Sequence, residues 1–286
     1  MRTSSTLVLA TLLFLGCQST RKSTDTLVTI HTKLGDIKVI LYDDTPKHKK
    51  SFIKMAKEGL YDSTIFHRVI NDFMIQGGDV GARPGFEKEG RRLIPSEFRP
   101  KHLNVRGALA AARAPDNVNP EKKSTTQFYI VQGKKFTQKE LTTDLAKLNY
   151  AAGYYLQSES NLALRDSLAV LQEEGKIAEM QSILIDLKDE IATYSGMNLD
   201  QAVTPEQVNL YTTVGGQPHL DGEYTVFGQV VEGMDVVDKI AHVRTGVGDR
   251  PIDDVYLTIT VEVLPRKEIA AKYGYTYPDN SLTDKQ

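Results

Sequence analysis

The 286-residue chain has no tryptophan and one cysteine, Cys17. A single thiol cannot close an internal disulfide, so stability has to come from a packed core rather than from covalent staples. An excess of one charge is also missing: 35 Lys and Arg stand against 37 Asp and Glu, a formal net charge of -2, which offers no electrostatic footprint for nucleic acid. Histidines number six, and His31, His48, His67, His102, His219 and His242 show no ligand spacing such as His-x-x-x-His. There is no phosphate-cradling glycine loop and no ligand cluster, so neither a metal nor any other cofactor is expected. The apolar run from Leu7 to Leu15 falls short of the roughly 20 residues that a membrane-spanning helix needs.

That run has another reading. Arg2 precedes it and Gly16-Cys17 follows, the pattern of an export signal over 1–16. Cys17 sits where lipoprotein signals place the cysteine that is acylated and becomes the new N-terminus. Phe14-Leu15-Gly16-Cys17 departs from the usual lipobox, which has Leu three places before the cysteine and a small residue two places before it. An ordinary secretory signal with an incidental cysteine is the alternative, and export is expected under either. The polar stretch 17–24 reads as a tether, since eight extended residues reach at most about 29 Å. No acidic run follows Cys17, which favours a lipid anchor facing the periplasm over surface export.

The remainder has the composition of a soluble globular protein, 40% hydrophobic and 25% charged. Val28 and Ile30 alternate with polar neighbours, a turn contains Gly35, and Ile37, Val39 and Leu41 resume the alternation, which predicts a hairpin. Thr45-Pro46 reads as an N-cap and first helical position, Phe52, Met55 and Ala56 mark one face, and Gly59 stops the helix. Its lysines read as a solvated face. Val255, Leu257, Ile259, Val261 and Val263 alternate with polar residues over another strand. Many short strands with few helices suggest a closed antiparallel barrel. Residues 137–214 differ in kind. Leu141, Leu145, Leu148, Ala152 and Tyr155, then Ile177, Met180, Leu184, Leu187 and Ile191, have helical spacing and predict two long helices packed as a hairpin with a turn at Gly175. Thr137 with Glu140 forms a capping box at the start, and Thr204-Pro205 opens a short third helix. The tail, 266–286, is polar and is assigned no role.

The most informative stretch is Phe66-His67-Arg68-Val69-Ile70-Asn71-Asp72-Phe73-Met74-Ile75-Gln76-Gly77-Gly78-Asp79. It sets one arginine beside apolar and amide side chains with no evident nucleophile, a site for binding and polarising. It resembles the core of the cyclophilin-type peptidyl-prolyl isomerases. Gly107 to Ala112, Thr126 to Ile130, His219-Leu220-Asp221-Gly222 and Val226-Phe227-Gly228 follow in that family's order. The resemblance implies a mainly β fold, a closed eight-stranded antiparallel barrel capped by helices, formed by 25–136 and 215–265. Residues 137–214 are then an inserted α-helical subdomain.

Rotation about a peptide bond is hindered by about 18 to 20 kcal/mol because the nitrogen lone pair is delocalised into the carbonyl. A cation or strong donor near the prolyl nitrogen localises that lone pair and lowers the barrier without a covalent intermediate. Arg68 is the candidate: its guanidinium is always charged and presents a rigid array of donors. The resemblance assigns an apolar recess for the proline ring to Phe73, Met74, Tyr129 and Leu220, with Gln76 and Gln127 bracing the arginine and the backbone. It pairs the main chain at Ala112-Arg113 with the peptide. Tyr129 stands where phenylalanine is usual, adding a hydroxyl that must find water or an acceptor. His219 replaces a tryptophan and Tyr224 a histidine of many eukaryotic members, which implies weak cyclosporin binding. His67, beside the arginine, is grouped with the substrate-binding residues as a hydrogen-bonded scaffold. Asp72 and Asp79 are the candidate partners of Arg68. The function expected is a peptidyl-prolyl isomerase, a monomer, acting on proline-containing peptides and unfolded exported proteins. The alternative is a chaperone module whose insertion holds clients.

Overall fold

The structure is a computed structural model that describes residues 23–278. The expected export signal, Cys17 and all but the last two tether residues lie outside the described residues. The described residues divide into two compact units, one spanning Thr26–Glu262 and a small one that joins 23–25 with 263–278.

Eight strands close an antiparallel barrel: β1 (Thr24–Thr32), β2 (Gly35–Leu41), β3 (Thr64–Ile70), β4 (Met74–Gly77), β5 (Ala108–Arg113), β6 (Ser124–Val131), β7 (Val226–Glu232) and β8 (Tyr256–Pro265), in the order β1-β2-β7-β5-β6-β4-β3-β8. The period of two in the sequence sets the faces. In β8 Leu257 and Ile259 are buried while Tyr256, Thr258 and Thr260 are exposed. The expected alternation fades after Ile259, with Val261 partly buried and Val263 exposed.

The interior holds an aromatic cluster. Phe128 meets Phe52, Tyr61 and Phe66 edge-on with ring centroids 5.4, 5.7 and 6.2 Å apart, the offset geometry that aromatic quadrupoles favour. Helix α1 (Pro46–Lys57) contributes Phe52 and Met55 to this core, and α9 (Met234–Ala241) contributes Val236, Val237 and Ile240. Between β4 and β5 lies α2 (Glu87–Gly90), a single turn.

The start of α1 differs from the sequence reading. Thr45 does not cap it; its hydroxyl donates to the Tyr42 carbonyl at 3.3 Å. Glu97 caps the helix instead, accepting from the backbone N–H groups of Lys47 at 3.1 Å and His48 at 3.0 Å. A carboxylate answers both the orphan donors and the positive end of the helix dipole, which a hydroxyl cannot. Glu97 Oε2 also lies 2.7 Å from His48 Nδ1, and His48 Nε2 lies 2.7 Å from Ser124 Oγ.

This cluster makes the protein acid-sensitive. Burial pulls His48 below its ordinary value of 6.5 despite Glu97 beside it. Burial pushes Glu97 up, but the hydrogen bonds from His48 and the helix N–H groups outweigh it and leave the carboxyl below 4.5. His67, His102 and His219 are also lowered, burial being the first cause in each. In the window below pH 6.5 the unfolded chain therefore binds more protons than the folded one, so stability falls as pH falls. Urea midpoints measured from about pH 7.5 down to about pH 5 are expected to decline; a rise would contradict the assignment.

Between β6 and β7 lie α3 (Gln138–Leu141), α4 (Leu145–Tyr155), α5 (Leu162–Glu173), α6 (Ile177–Asp186), α7 (Lys188–Ser195) and α8 (Pro205–Thr213). The capping box of Thr137 with Glu140 forms, and the helix that Thr204-Pro205 opens is capped the same way, by Thr204 with Gln207. The two long helices do not. The first breaks after Leu141, where Thr143 pairs with Asp200 and the Asp144 side chain accepts from Lys147 N to start a new helix. The second breaks at Leu187, the C-cap of α6. Residues 162–173 are helical as well, and the turn at Gly175, with φ +71°, joins α5 to α6. Leu148, Ala152, Leu168, Leu184 and Ile191 meet in a core belonging to these helices. Four short amphipathic segments bury one another's faces, a result that spacing within one segment cannot show.

In the small unit the tail, assigned no structure from sequence, contains α10 (Arg266–Tyr273) with Ile269 buried. Arg266 N donates to the Ser23 carbonyl at 2.9 Å, and the Arg266 guanidinium lies 3.6 Å from Asp25 and 4.4 Å above the Tyr277 ring.

Candidate active site

Strand register builds the site. Arg68 on β3 lies opposite Gln76 on β4, Gln76 opposite Tyr129 on β6, and Tyr129 opposite Ala110 on β5. The pleat sends Ile75, Leu109, Ala111, Phe128 and Ile130 into the barrel interior. It sends their neighbours Met74, Ala108, Ala110, Ala112 and Tyr129 to the outer face, where Leu220 and Val226 join them in a second apolar cluster with Phe73 and Tyr224 packed against it. Phe66 and Val69 of the motif belong to the barrel core, whereas Phe73 and Met74 do not.

Over this outer cluster opens a cavity of about 110 Å3, lined by Arg68, Phe73, Met74, Gln76, Ala112, Arg113, Tyr129, Leu220 and Tyr224. A 3-10 turn, Pro218–Leu220, supplies Leu220. His67, Gln127 and His219, grouped with them on sequence, are outside its wall. His67 is half-buried, and its Nδ1 has no hydrogen-bond partner among the described residues. Gln127 accepts from Gln76 Nε2 at 2.9 Å, so the two amides hold each other. His219 stacks on the back of Phe73 with ring centroids 5.7 Å apart and planes 24° from parallel. Its wall mixes apolar side chains with polar ones, and two guanidiniums, those of Arg68 and Arg113, belong to it.

Arg68 Cζ is 5.9 Å from the centroid of the Phe73 ring. Its partner is neither Asp72 nor Asp79. Arg68 Nε donates to Asp249 Oδ2 at 3.4 Å, and both side chains are exposed, 42% and 47%. Asp249 comes from the 3-10 turn Val247–Asp249, far along the chain, and sits at φ +59°, which is why no local pattern revealed it. A pair this long and this wet holds the guanidinium weakly. The two Nη groups of Arg68 make no hydrogen bond among the described residues and remain available as donors.

The extra hydroxyl of Tyr129 finds a protein acceptor, Asn104 Oδ1 at 2.8 Å. Burial raises the phenol's pKa well above its usual value, so it stays a donor. Asn104 is itself fully buried, and its backbone N and Nδ2 donate to Asp221 Oδ1 at 2.7 and 3.2 Å. The other oxygen of Asp221 accepts from the Tyr211 hydroxyl of α8 at 2.6 Å. A polar chain therefore runs from the cavity wall to the insertion. Asn104 and Tyr211 were not identified from sequence, and Asp221 was noted only within its motif; its place after His219-Leu220 was the one signal available.

Arg113 does more than expose its main chain. Its guanidinium is only 6% exposed, lies 4.8 Å above the Tyr224 ring, and donates to the Glu223 carbonyl at 2.8 Å and to Glu223 Oε2 at 3.0 Å, with Asp116 also bound to it. Tyr224 in turn meets Tyr129 edge-on at 5.6 Å. The acidic residues neutralise Arg113, leaving Arg68 as the cation of the cavity wall with the weaker partner.

The family model described as "Cyclophilin type peptidyl-prolyl cis-trans isomerase/CLD" matches residues 27–149 and again 131–262. The chain belongs to the cyclophilin family. With it comes the enzyme class, peptidyl-prolyl cis-trans isomerase. This cyclophilin is 32% identical over 238 residues to a Staphylococcus epidermidis protein named as a peptidyl-prolyl cis-trans isomerase, covering 82% of this chain and 91% of the relative. It is 32% identical over 241 residues to a Streptococcus pyogenes protein named as a bifunctional phosphatase/peptidyl-prolyl cis-trans isomerase, and spans only 38% of that protein's length. A cyclophilin crystal structure from Cryptosporidium parvum superposes with a TM-score of 0.50 at 20% identity, covering 85% of this chain and 99% of the other, a likeness of fold.

Proposed function

We propose that this cyclophilin isomerises X-Pro bonds by seating the proline ring in the recess formed by Phe73, Met74, Tyr129 and Leu220 while Arg68 polarises the prolyl amide. One observation carries the reading: the Arg68 guanidinium, with unengaged Nη donors, shares a cavity of about 110 Å3 with the apolar side chains of Phe73, Met74 and Leu220. The cavity selects a small apolar ring, and a donor aimed at the nitrogen where charge develops stabilises the twisted amide more than the planar one. Gln76, fixed by Gln127, orders the floor beside Arg68, and the main chain at Ala112-Arg113 pairs with the peptide. Uncatalysed isomerisation takes tens of seconds or longer, slow enough to limit folding. A protease-coupled assay on a proline tetrapeptide tests the reading: wild-type turnover no faster than that of Arg68→Ala removes it.

The clients in this reading are unfolded exported proteins, met by a monomer anchored through Cys17 and facing the periplasm. The support is the sequence of the N-terminal residues alone: the signal-like first sixteen, Cys17, and the polar stretch without an acidic run after it. Labelling cells with a fatty-acid probe is expected to mark the wild-type chain, and Cys17→Ser to lose the label and move the protein to the soluble fraction. A soluble, unlabelled wild type sinks the anchor.

A further inference from the structure

A larger hollow adjoins the proline recess. It has a volume of about 540 Å3 and opens where the insertion meets the barrel, within the roughly 300–1,000 Å3 typical of ligand clefts. Leu141, Leu145, Ala178, Ile185, Val203 and Tyr211 give it apolar walls, and Pro218 and His219 complete them. Several polar groups around it are already engaged. Lys134 pairs with Glu140 at 3.2 Å, Asp144 caps α4, and Gln201 Nε2 donates to the Leu141 carbonyl at 2.7 Å. What the cleft offers a visitor is more apolar than polar surface, with its charged groups paired to each other or to the backbone. The helices' own core closes around Leu148, Leu168 and Ile191, sharing only Ile185 with the cleft wall, while Leu145 remains 43% exposed.

The wall between the two hollows is one aromatic layer thick. His219 lines the cleft and the next residue, Leu220, lines the recess. The His219 ring stacks on Phe73 at 5.7 Å, and Phe73 faces the recess. An extended chain advances about 3.3 Å per residue, so a peptide crossing this layer reaches the cleft within a few residues of its proline.

We propose that the cleft is a second subsite for the same client chain, receiving a large apolar side chain of an extended, unfolded segment whose proline occupies the recess. The proposal rests on the reading of the recess as the proline site. It makes the insertion a specificity element: clients with Leu or Phe near the proline bind more tightly than clients with polar residues there, whereas peptides too short to cross the layer are indifferent to it.

The test uses fluorescein-labelled peptides of about ten residues, each with one proline and a Leu or a Ser placed at successive positions on either side of it. Fluorescence anisotropy with the wild-type chain is expected to show one position where Leu binds about tenfold more tightly than Ser, the scale of burying one such side chain. Ala178→Trp, which fills the cleft from an exposed helical position, and Leu145→Asp, which charges it, are expected to abolish that preference while leaving tetrapeptide kcat/KM unchanged. Arg68→Ala is expected to keep it. Equal affinity of Leu and Ser peptides at every position, or a preference that survives both cleft variants, overturns the proposal. The Leu against Ser contrast needs only wild-type protein, so a poorly folding variant does not blunt it. Failure of the proline-site reading is read separately, as absent tetrapeptide turnover.

Discussion

Arg68→Ala lowers kcat/KM on a proline tetrapeptide by about 10²- to 10³-fold, the usual effect of deleting a donor aimed at developing charge, and changes folding stability by no more than about 0.5 kcal/mol. The two halves of this expectation have separate causes. Stability is spared because Arg68 is 42% exposed and its one ionic partner, Asp249, stands at 3.4 Å in water, a pair of negligible worth. Activity is lost because no other cation of the cavity wall can replace it: Arg113 is held by Glu223 and Asp116. Arg68→Lys restores little, since an ammonium on a flexible stem lacks the planar fork that reaches past the Phe73 ring. The decisive measurement is turnover and urea midpoint on the same preparations. An Arg68→Ala protein that retains full turnover shows that the amide is polarised by something else.

Asp221→Ala has the largest expected effect on stability, about 3 kcal/mol, from donors left without an acceptor at about 1 to 3 kcal/mol each. Its carboxylate accepts from Asn104 N, Asn104 Nδ2 and the Tyr211 hydroxyl. Asn104 is wholly buried and Tyr211 is too, so water does not take the carboxylate's place without opening the structure. For a domain of this size that corresponds to a melting temperature lower by about 6 to 12 °C. Tyr211→Phe removes one bond and is expected to cost about 1 kcal/mol. Activity falls with Asp221→Ala as well, because Asn104 then no longer fixes the hydroxyl of Tyr129 at the cavity wall. Thermal denaturation of the two variants beside the wild type checks the order, and an Asp221→Ala protein as stable as Tyr211→Phe contradicts it.

The barrel was legible because its strands carry their own instruction. Alternation at Val28 and Ile30, or at Leu257 and Ile259, states which side chains face inward before any partner strand is known. The recess was legible for another reason: its residues fall in short motifs whose order and type match the cyclophilin pattern, so Phe73, Met74, Tyr129 and Leu220 were named together and do line one cavity. Reading failed wherever a side chain's partner came from far along the chain. Glu97 takes the cap that Thr45 appeared to own, Asp249 takes the place offered to Asp72 and Asp79, and the Tyr129 hydroxyl meets Asn104.

The insertion shows the same limit at the scale of helices. The sequence located the capping box at Thr137 and the helix start at Thr204-Pro205, since these are interactions within one or two turns, but it missed the helix over 162–173. It joined segments that the fold separates at Thr143-Asp144 and Leu187, because a break there is set by what the next helix packs against.

The sequence by itself determined the periodicities, the caps inside the insertion and the residues that line the recess, with no nucleophile among them. Only the tertiary structure decided which carboxylates hold which donors, how weakly Arg68 is tethered, and that a cleft shares a wall with the recess. The physical reason is range. Backbone preference and side-chain alternation act over a few residues, whereas a hydrogen bond or a cavity needs groups that only the closed barrel and the packed helices bring within a few ångströms of each other.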